Sequence, residues 1–255
     1  MNDNQSETLG KKIFLLHPHS VIKDDMLDIL MMAGYETYTI FDETRAQKLL
    51  LKFPDSIMFI NIDEGLKEKE WEAYILDILE NPKLKDCRLG IMSYNQDQDL
   101  MKKYLIDLGI PCGYIQLKLG VQESTNIMLG ALEANEAKDR RKHIRADCRD
   151  DAGSTLNYKG ETEVYHGNIM DISSAGIEVK LEKLGDHAVN SVLRNVQLKL
   201  RDGDVMTDMI FMGQRQDNEN VYVLLFEPNM STENKLVIHR YIKQCLQEYI
   251  DGLKV

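Results

Sequence analysis

The chain has 255 residues, 43% of them hydrophobic, enough for one large or two ordinary cores and too apolar for a disordered chain. Its formal net charge of −11 argues against a general DNA or RNA binder, because counterion release needs a broad basic surface. No stretch approaches the roughly 18 consecutive apolar residues of a membrane span. Residues 1–10 are polar and lack an export segment, and Cys87, Cys112, Cys148 and Cys245 stand singly, so the expectation is a cytoplasmic protein without membrane insertion, disulfide framework or metal.

Strand and helix patterns alternate through the first half. Residues 12–16 are a short apolar run, followed by an amphipathic stretch, 21–33, closed by Gly34. Residues 35–41 are aromatic and Thr-rich, with strand character. Residues 44–53 repeat apolar side chains at helical spacing until Pro54. The continuous apolar run 56–62 predicts a strand buried on both faces. Residues 71–79 read as helix, 89–93 as strand, 99–108 as helix, 114–117 as a fifth strand and 124–137 as a final helix. Five such β–α units predict a doubly wound parallel sheet over residues 11–138, behind a flexible tail, 1–10.

From about residue 139 the texture changes. Short β-like runs, among them 176–181, 196–200, 205–212 and 221–226, are separated by turn signals at 157–160, Asp186, Asp202-Gly203 and 217–220. Evenly spaced short strands predict a small antiparallel barrel or sandwich. Residues 231–253 then read as one amphipathic helix, with Ser231 or Thr232 as N-cap and Glu233 in the first turn. Two domains, 11–138 and 139–255, are therefore expected, joined through an Arg-rich segment, 139–149.

In order and length, residues 11–138 resemble a response-regulator receiver domain, the flavodoxin-like phospho-acceptor module. That family carries acidic residues after the first strand to hold Mg²⁺ and a phospho-accepting Asp at the end of the third. Here the first strand ends His17-Pro18-His19-Ser20, without a carboxylate, and the third ends Ile60-Asn61-Ile62-Asp63, with Asn61 in the acceptor position. Ser93 and Lys118 match two later positions of the family. An amide is no nucleophile for phosphoryl transfer, and the hard oxygen cage for Mg²⁺ is missing. Asp63 is an off-register candidate whose side chain has to turn back into the site. His17 and His19 read as surface imidazoles beside a proline. The resemblance implies a degenerate receiver that docks or dimerises.

The charge is uneven. Residues 1–138 hold 15 Lys+Arg against 23 Asp+Glu, the rest 16 against 19. Within the milder half, Lys138, Arg140, Arg141, Lys142, Arg145 and Arg149 crowd together, opposed only by Asp139 and Asp147. A local basic knot in an acidic protein suits a small anionic ligand better than a polymer. Residues 141–145 have the form RxxxR, preceded by Arg140, and residues 171–176 the form DxSxxG. In this order, ahead of a small barrel, the two motifs resemble the PilZ domain, whose members bind the bacterial second messenger cyclic di-GMP.

The resemblance implies a ligand site of Arg140, Arg141, Arg145, Asp171, Ser173 and Gly176. The chemistry suits it. A guanidinium fork matches phosphate oxygens or the O6/N7 edge of guanine, and can also stack on a base. The Asp carboxylate accepts from guanine N1–H and N2–H₂, Ser173 supplies a hydroxyl, and Gly176 allows close backbone approach or a positive φ. In this family a basic residue before the first motif Arg, here Arg140, accompanies a ligand dimer. His143 within the basic motif is expected to be exposed and incidental. The expected function is a non-catalytic cyclic di-GMP effector that rearranges its domains and signals to a protein partner in motility, adhesion or envelope regulation. A homodimer through the receiver-like half belongs to this expectation. The alternatives are a phospho-accepting response regulator with PilZ output and a ligand-free interaction scaffold.

Overall fold

The computed structural model describes residues 10–138, 143–160, 163–181, 184–185, 187–201, 203–218 and 220–255. The chain divides into two compact units between residues 142 and 143, with residues 253–255 belonging to the first.

In the first unit, strands β1 (Lys12–Leu16), β2 (Thr37–Ile40), β3 (Ser56–Asn61), β4 (Arg88–Ser93) and β5 (Tyr114–Gln116) form a parallel sheet in the order β2-β1-β3-β4-β5. Helices α1 (Lys23–Met32), α2 (Glu43–Lys52), α3 (Glu68–Glu80) and α4 (Gln98–Lys102) connect them, and α5 (Val121–Ala134) follows β5. Both faces of the sheet are covered, which is why its strands read as unbroken apolar runs. On one face Ile13, Leu15 and Phe59 join Met26 and Leu30 of α1 and Met128 and Leu132 of α5. On the other, the Phe14 ring lies 6.4 Å from Phe53.

Local signals place the ends of these helices. Gly34, at φ 92°, closes α1 with its N–H on Met31 O, while Tyr35 N–H reaches Leu30 O. The Asp42 carboxylate caps α2 through Arg45 N–H at 2.5 Å. Helix α3 starts earlier than the apolar period suggested, because Glu70 reaches back to accept from Lys67 N–H at 2.9 Å. The expected helix 99–108 is regular only through α4 and loosens into a π turn at Lys103–Asp107.

The second unit is a closed antiparallel barrel. Its strands are β7 (Thr155–Lys159), β8 (Val164–Ser173), β9 (Gly176–Leu181), β10 (Val192–Leu200), β11 (Gly203–Gln214) and β12 (Val221–Phe226). They follow the order β8-β7-β10-β11-β12-β9, and β9 closes back on β8; β6 (Arg145–Asp147) adds to the edge of β8. One correction concerns the turn expected at 157–160. Alternating Leu156 and Tyr158 point inward and carry β7 to Lys159, so only Gly160 belongs to the turn. Inward burial outweighs the turn preference of Asn157.

Helix α6 (Thr232–Gly252) follows the barrel, with Ser231 Oγ accepting from Asn234 N–H at 3.2 Å. Ile238, Tyr241, Ile242, Cys245 and Ile250 recur at helical spacing and are buried. Tyr241 also donates to Asp151 Oδ2 at 2.8 Å, joining the helix to the loop after β6. All four cysteines are buried and unbridged. Among the described residues, no helix is long and apolar enough to cross a membrane.

Candidate ligand-binding site

Strand β8 positions the site because it serves different neighbours along its length. Its first half pairs with β7, and its second half pairs with β9 and β6. The β8–β9 register shifts between Ile169 and Asp171, and such a bulge re-aims the side chain that follows it. Asp171 then stands opposite Glu178 of β9 and opposite Asp147 of β6, while Arg145 pairs with Ser173. Residues 26 positions apart in sequence meet directly: Arg145 Nη1 donates to Asp171 Oδ2 at 3.3 Å.

Each motif residue within the described chain has a definite place. Arg145 is half exposed, whereas Asp171 has 25% of its side chain exposed. Burial pushes the Asp171 carboxyl above its ordinary range and the charge of Glu178 adds to this, with Arg145 and Arg215 opposing. Ser173 is buried, and its hydroxyl is engaged by the turn: it donates to Gly176 O at 3.2 Å and accepts from Ala175 and Gly176 N–H at 3.2 and 3.3 Å. At Gly176 the reason for glycine is close approach, not positive φ. A Cβ there would lie 2.2 Å from Leu224 O, in the β9–β12 seam. Arg140 and Arg141 lie outside the described residues, as do residues 1–9, Asp186 and Asp202.

Three participants escaped the sequence reading. His143 is half-buried, not a bystander: its Nδ1 is 2.8 Å from Ser174 Oγ, which ties the basic segment to the DxSxxG turn. Glu178 accepts from Arg145 Nη1 at 3.3 Å and from Arg215 Nη1 at 2.7 Å. Arg215 follows β11 and also forks onto Asp217, Nε to Oδ1 at 2.8 Å and Nη2 to Oδ2 at 2.9 Å. A signal for Glu178 existed, because strand alternation from Gly176 turns Ile177 inward and Glu178 outward beside Asp171. Arg215, across the barrel seam, had none. Apart from the charged cluster, a groove of about 620 Å³ is lined by Asn157, His166, Asn168, Lys180 and Asn220, at the start of β8 and the end of β9, where Asn168 pairs with Lys180.

The receiver-like positions of the first unit form a separate polar cluster. Asn61 is fully buried; its Nδ2 donates to His17 O at 2.9 Å and its Oδ1 accepts from Asp63 N–H at 3.2 Å. The Asp63 carboxylate does turn back: Oδ1 takes the Ser93 hydroxyl and Oδ2 the Tyr94 N–H, both at 2.6 Å. Lys118 is exposed in the short turn after β5. The histidines need a correction. His17, at φ 50°, is only 14% exposed, sits 2.9 Å from Glu43 Oε1 and meets Trp71 edge-on, while the ring of half-buried His19 packs edge-on to Tyr94 at 5.0 Å. Aromatic neighbours on both sides bury what a sequence beside proline presents as surface. Among the described residues, no cluster of three or more His, Cys, Asp or Glu is placed to hold a metal ion.

No protein-family profile and no curated protein matches the chain. Solved structures do. The PilZ domain of YcgR from Escherichia coli with cyclic di-GMP is similar at 16% identity and a TM-score of 0.38, over 45% of this chain and 100% of that one. The Bacillus subtilis inhibitor of motility MotI/DgrA is similar at 16% identity and a TM-score of 0.36, over 45% of this chain and 53% of that one. The K. pneumonia MrkH–cyclic di-GMP complex is similar at 20% identity and a TM-score of 0.34, over 41% and 51%. The match therefore spans about half the length of the latter two proteins.

Proposed function

We propose that this chain is a PilZ-type effector that binds cyclic di-GMP on the outer face of the barrel, at Arg145 and Asp171. The observation that carries the reading is the meeting of the last RxxxR arginine with the DxSxxG aspartate, 3.3 Å apart on neighbouring strands β6 and β8. A guanidinium and a carboxylate side by side supply complementary recognition of a phosphate or guanine O6/N7 and of guanine N1–H/N2–H₂. Arg140 and Arg141 complete the basic arm. Ser173 and Gly176 hold the turn that presents Asp171.

In this reading the protein is not an enzyme. The ligand grips residues 139–149, the segment that runs across the division between the two units, and its preference for one arrangement of the units over another transmits the signal to a protein partner. Motility, adhesion or envelope regulation is the proposed setting, a cytoplasmic one. The receiver-like half is proposed to dock or dimerise without accepting a phosphate.

The test is calorimetric titration of cyclic di-GMP into the full chain and its Arg145→Ala variant. Saturable binding that weakens about 5- to 150-fold in the variant is expected, as for loss of one charged hydrogen-bonded contact. No binding at tens of micromolar ligand, or equal binding by both proteins, refutes the reading. Solution scattering with and without ligand then reads the arrangement of the units; identical curves refute the switch.

A further inference from the structure

Glu178 stands between two guanidinium groups. A single oxygen, Oε1, takes Arg145 Nη1 at 3.3 Å and Arg215 Nη1 at 2.7 Å, so the two nitrogens lie within two hydrogen-bond lengths of each other. Asp217 holds the other edge of the Arg215 fork and leaves Nη1 aimed at β9. The Glu178 side chain is 14% exposed, against 45% and 38% for Arg145 and Arg215. The carboxylate therefore lies beneath two forks that face solvent. One oxyanion shared by two guanidinium groups is the arrangement that a phosphodiester oxygen takes in a protein site.

We infer that Arg145 and Arg215 form the seat of one ligand phosphate, and that the Glu178 carboxylate fills this seat in the ligand-free chain as a resident competitor. The inference rests on the cyclic di-GMP reading and deepens it. Arg215 becomes a ligand-binding arginine contained in neither motif, delivered by the end of β11. Glu178 sets affinity from within. Among the described residues, the ion-paired cluster holds two cations, Arg145 and Arg215, against three carboxylates, Asp171, Glu178 and Asp217. A phosphate enters it favourably only as Glu178 gives up its partners. The opposite role, Glu178 accepting from a guanine edge as Asp171 is proposed to do, predicts an effect of opposite sign. It also requires a base to reach beneath the two arginines.

The experiment titrates cyclic di-GMP into the full chain, Glu178→Gln, Arg215→Ala and a Glu233→Gln control on the exposed first turn of α6. Glu178→Gln keeps the side-chain volume and removes the charge. It should bind about 5- to 50-fold tighter at low salt, with the advantage shrinking as NaCl rises from about 0.05 to 0.5 M. Arg215→Ala should bind about 5- to 150-fold more weakly, and the control as the parent does. Unchanged or weakened binding by Glu178→Gln overturns the competitor, and unchanged binding by Arg215→Ala overturns the seat. Inorganic pyrophosphate, followed by ³¹P NMR in the same proteins, separates this inference from the cyclic di-GMP reading. Pyrophosphate uptake strengthened by Glu178→Gln and lost in Arg215→Ala, without cyclic di-GMP binding, leaves the anion seat and refutes that ligand. No response to either probe refutes both.

Discussion

Gly176→Ala separates what the DxSxxG motif does for the fold from what it does for a ligand. The added methyl would sit 2.2 Å from Leu224 O and 2.9 Å from Leu225 Cα, both backbone atoms that no rotamer change can move aside. Relief requires β9 to part from β12 where Gly176 pairs with Leu225 and Phe226 N–H reaches Ala175 O at 2.9 Å, one of the seams that close the barrel. Overpacking costs about 1–3 kcal/mol, and two weakened ladder bonds add about 1 kcal/mol each, so about 3–5 kcal/mol is expected. With a urea m-value of about 1–3 kcal/mol/M, the midpoint of the barrel transition should fall by about 1–5 M. Far-UV circular dichroism reads that transition, while fluorescence of Trp71, the single tryptophan, reports on the first unit, in which it is buried. A midpoint within about 0.3 M of the parent refutes the close-approach argument. A large shift means that any loss of ligand binding in this variant reflects the scaffold and says nothing about contact.

Four further outcomes are expected. Asp171→Asn should leave the urea midpoint within about 0.5 M of the parent or raise it, because burial already opposes the Asp171 charge, yet weaken cyclic di-GMP binding about tenfold or more; parental binding refutes its role. In the parent, affinity should fall as pH is lowered towards the carboxylate range, and start to fall earlier than an ordinary Asp would allow, since burial raises the Asp171 carboxyl and a protonated carboxyl loses acceptor capacity towards guanine; calorimetry that shows affinity independent of pH down to that range contradicts this. Burial raises the Asp151 carboxyl, but the donors Arg201, Ser154, Tyr241 and Gly153 outweigh it and bring the pKa to about 2. Being depressed in the folded state, Asp151 contributes about 2 kcal/mol above about pH 4, lost as pH falls towards 2. Asp151→Asn should thus destabilise the barrel at pH 7 and converge with the parent near pH 2, and denaturation curves separated equally at both pH values rule this out. Finally, with Asn61 in the acceptor position and both Asp63 oxygens already engaged, beryllofluoride with Mg²⁺ should leave Trp71 fluorescence and cyclic di-GMP affinity unchanged. A shift in either that disappears in Asp63→Ala would restore the phospho-acceptor reading.

The parallel sheet of the first unit was legible in the sequence because strands covered on both faces must be continuously apolar, and Gly34 marks a helix end by chemistry confined to one turn. The two motifs were legible for a similar reason, as short patterns of residue type at fixed spacing. Their meeting was not. Arg145 reaches Asp171 only because β6 adds to β8, and the bulge after Ile169 sets the direction of Asp171. The same holds for His17, which aromatic neighbours distant in sequence bury, and for β7, whose inward Leu156 and Tyr158 override a local turn preference. Glycine at 176 could be read as freedom of φ or as close approach, and only the β9–β12 seam decides for the second. Glu178 and Arg215 belong entirely to tertiary structure: they are 37 positions apart, one on β9 and the other just past the end of β11, strands that are separated in the barrel by β12. Periodicity and motif spacing are properties of neighbours along the chain, so they can be read without the fold. Which charges face one another across a closed barrel depends on register and strand order, and only the folded chain decides those.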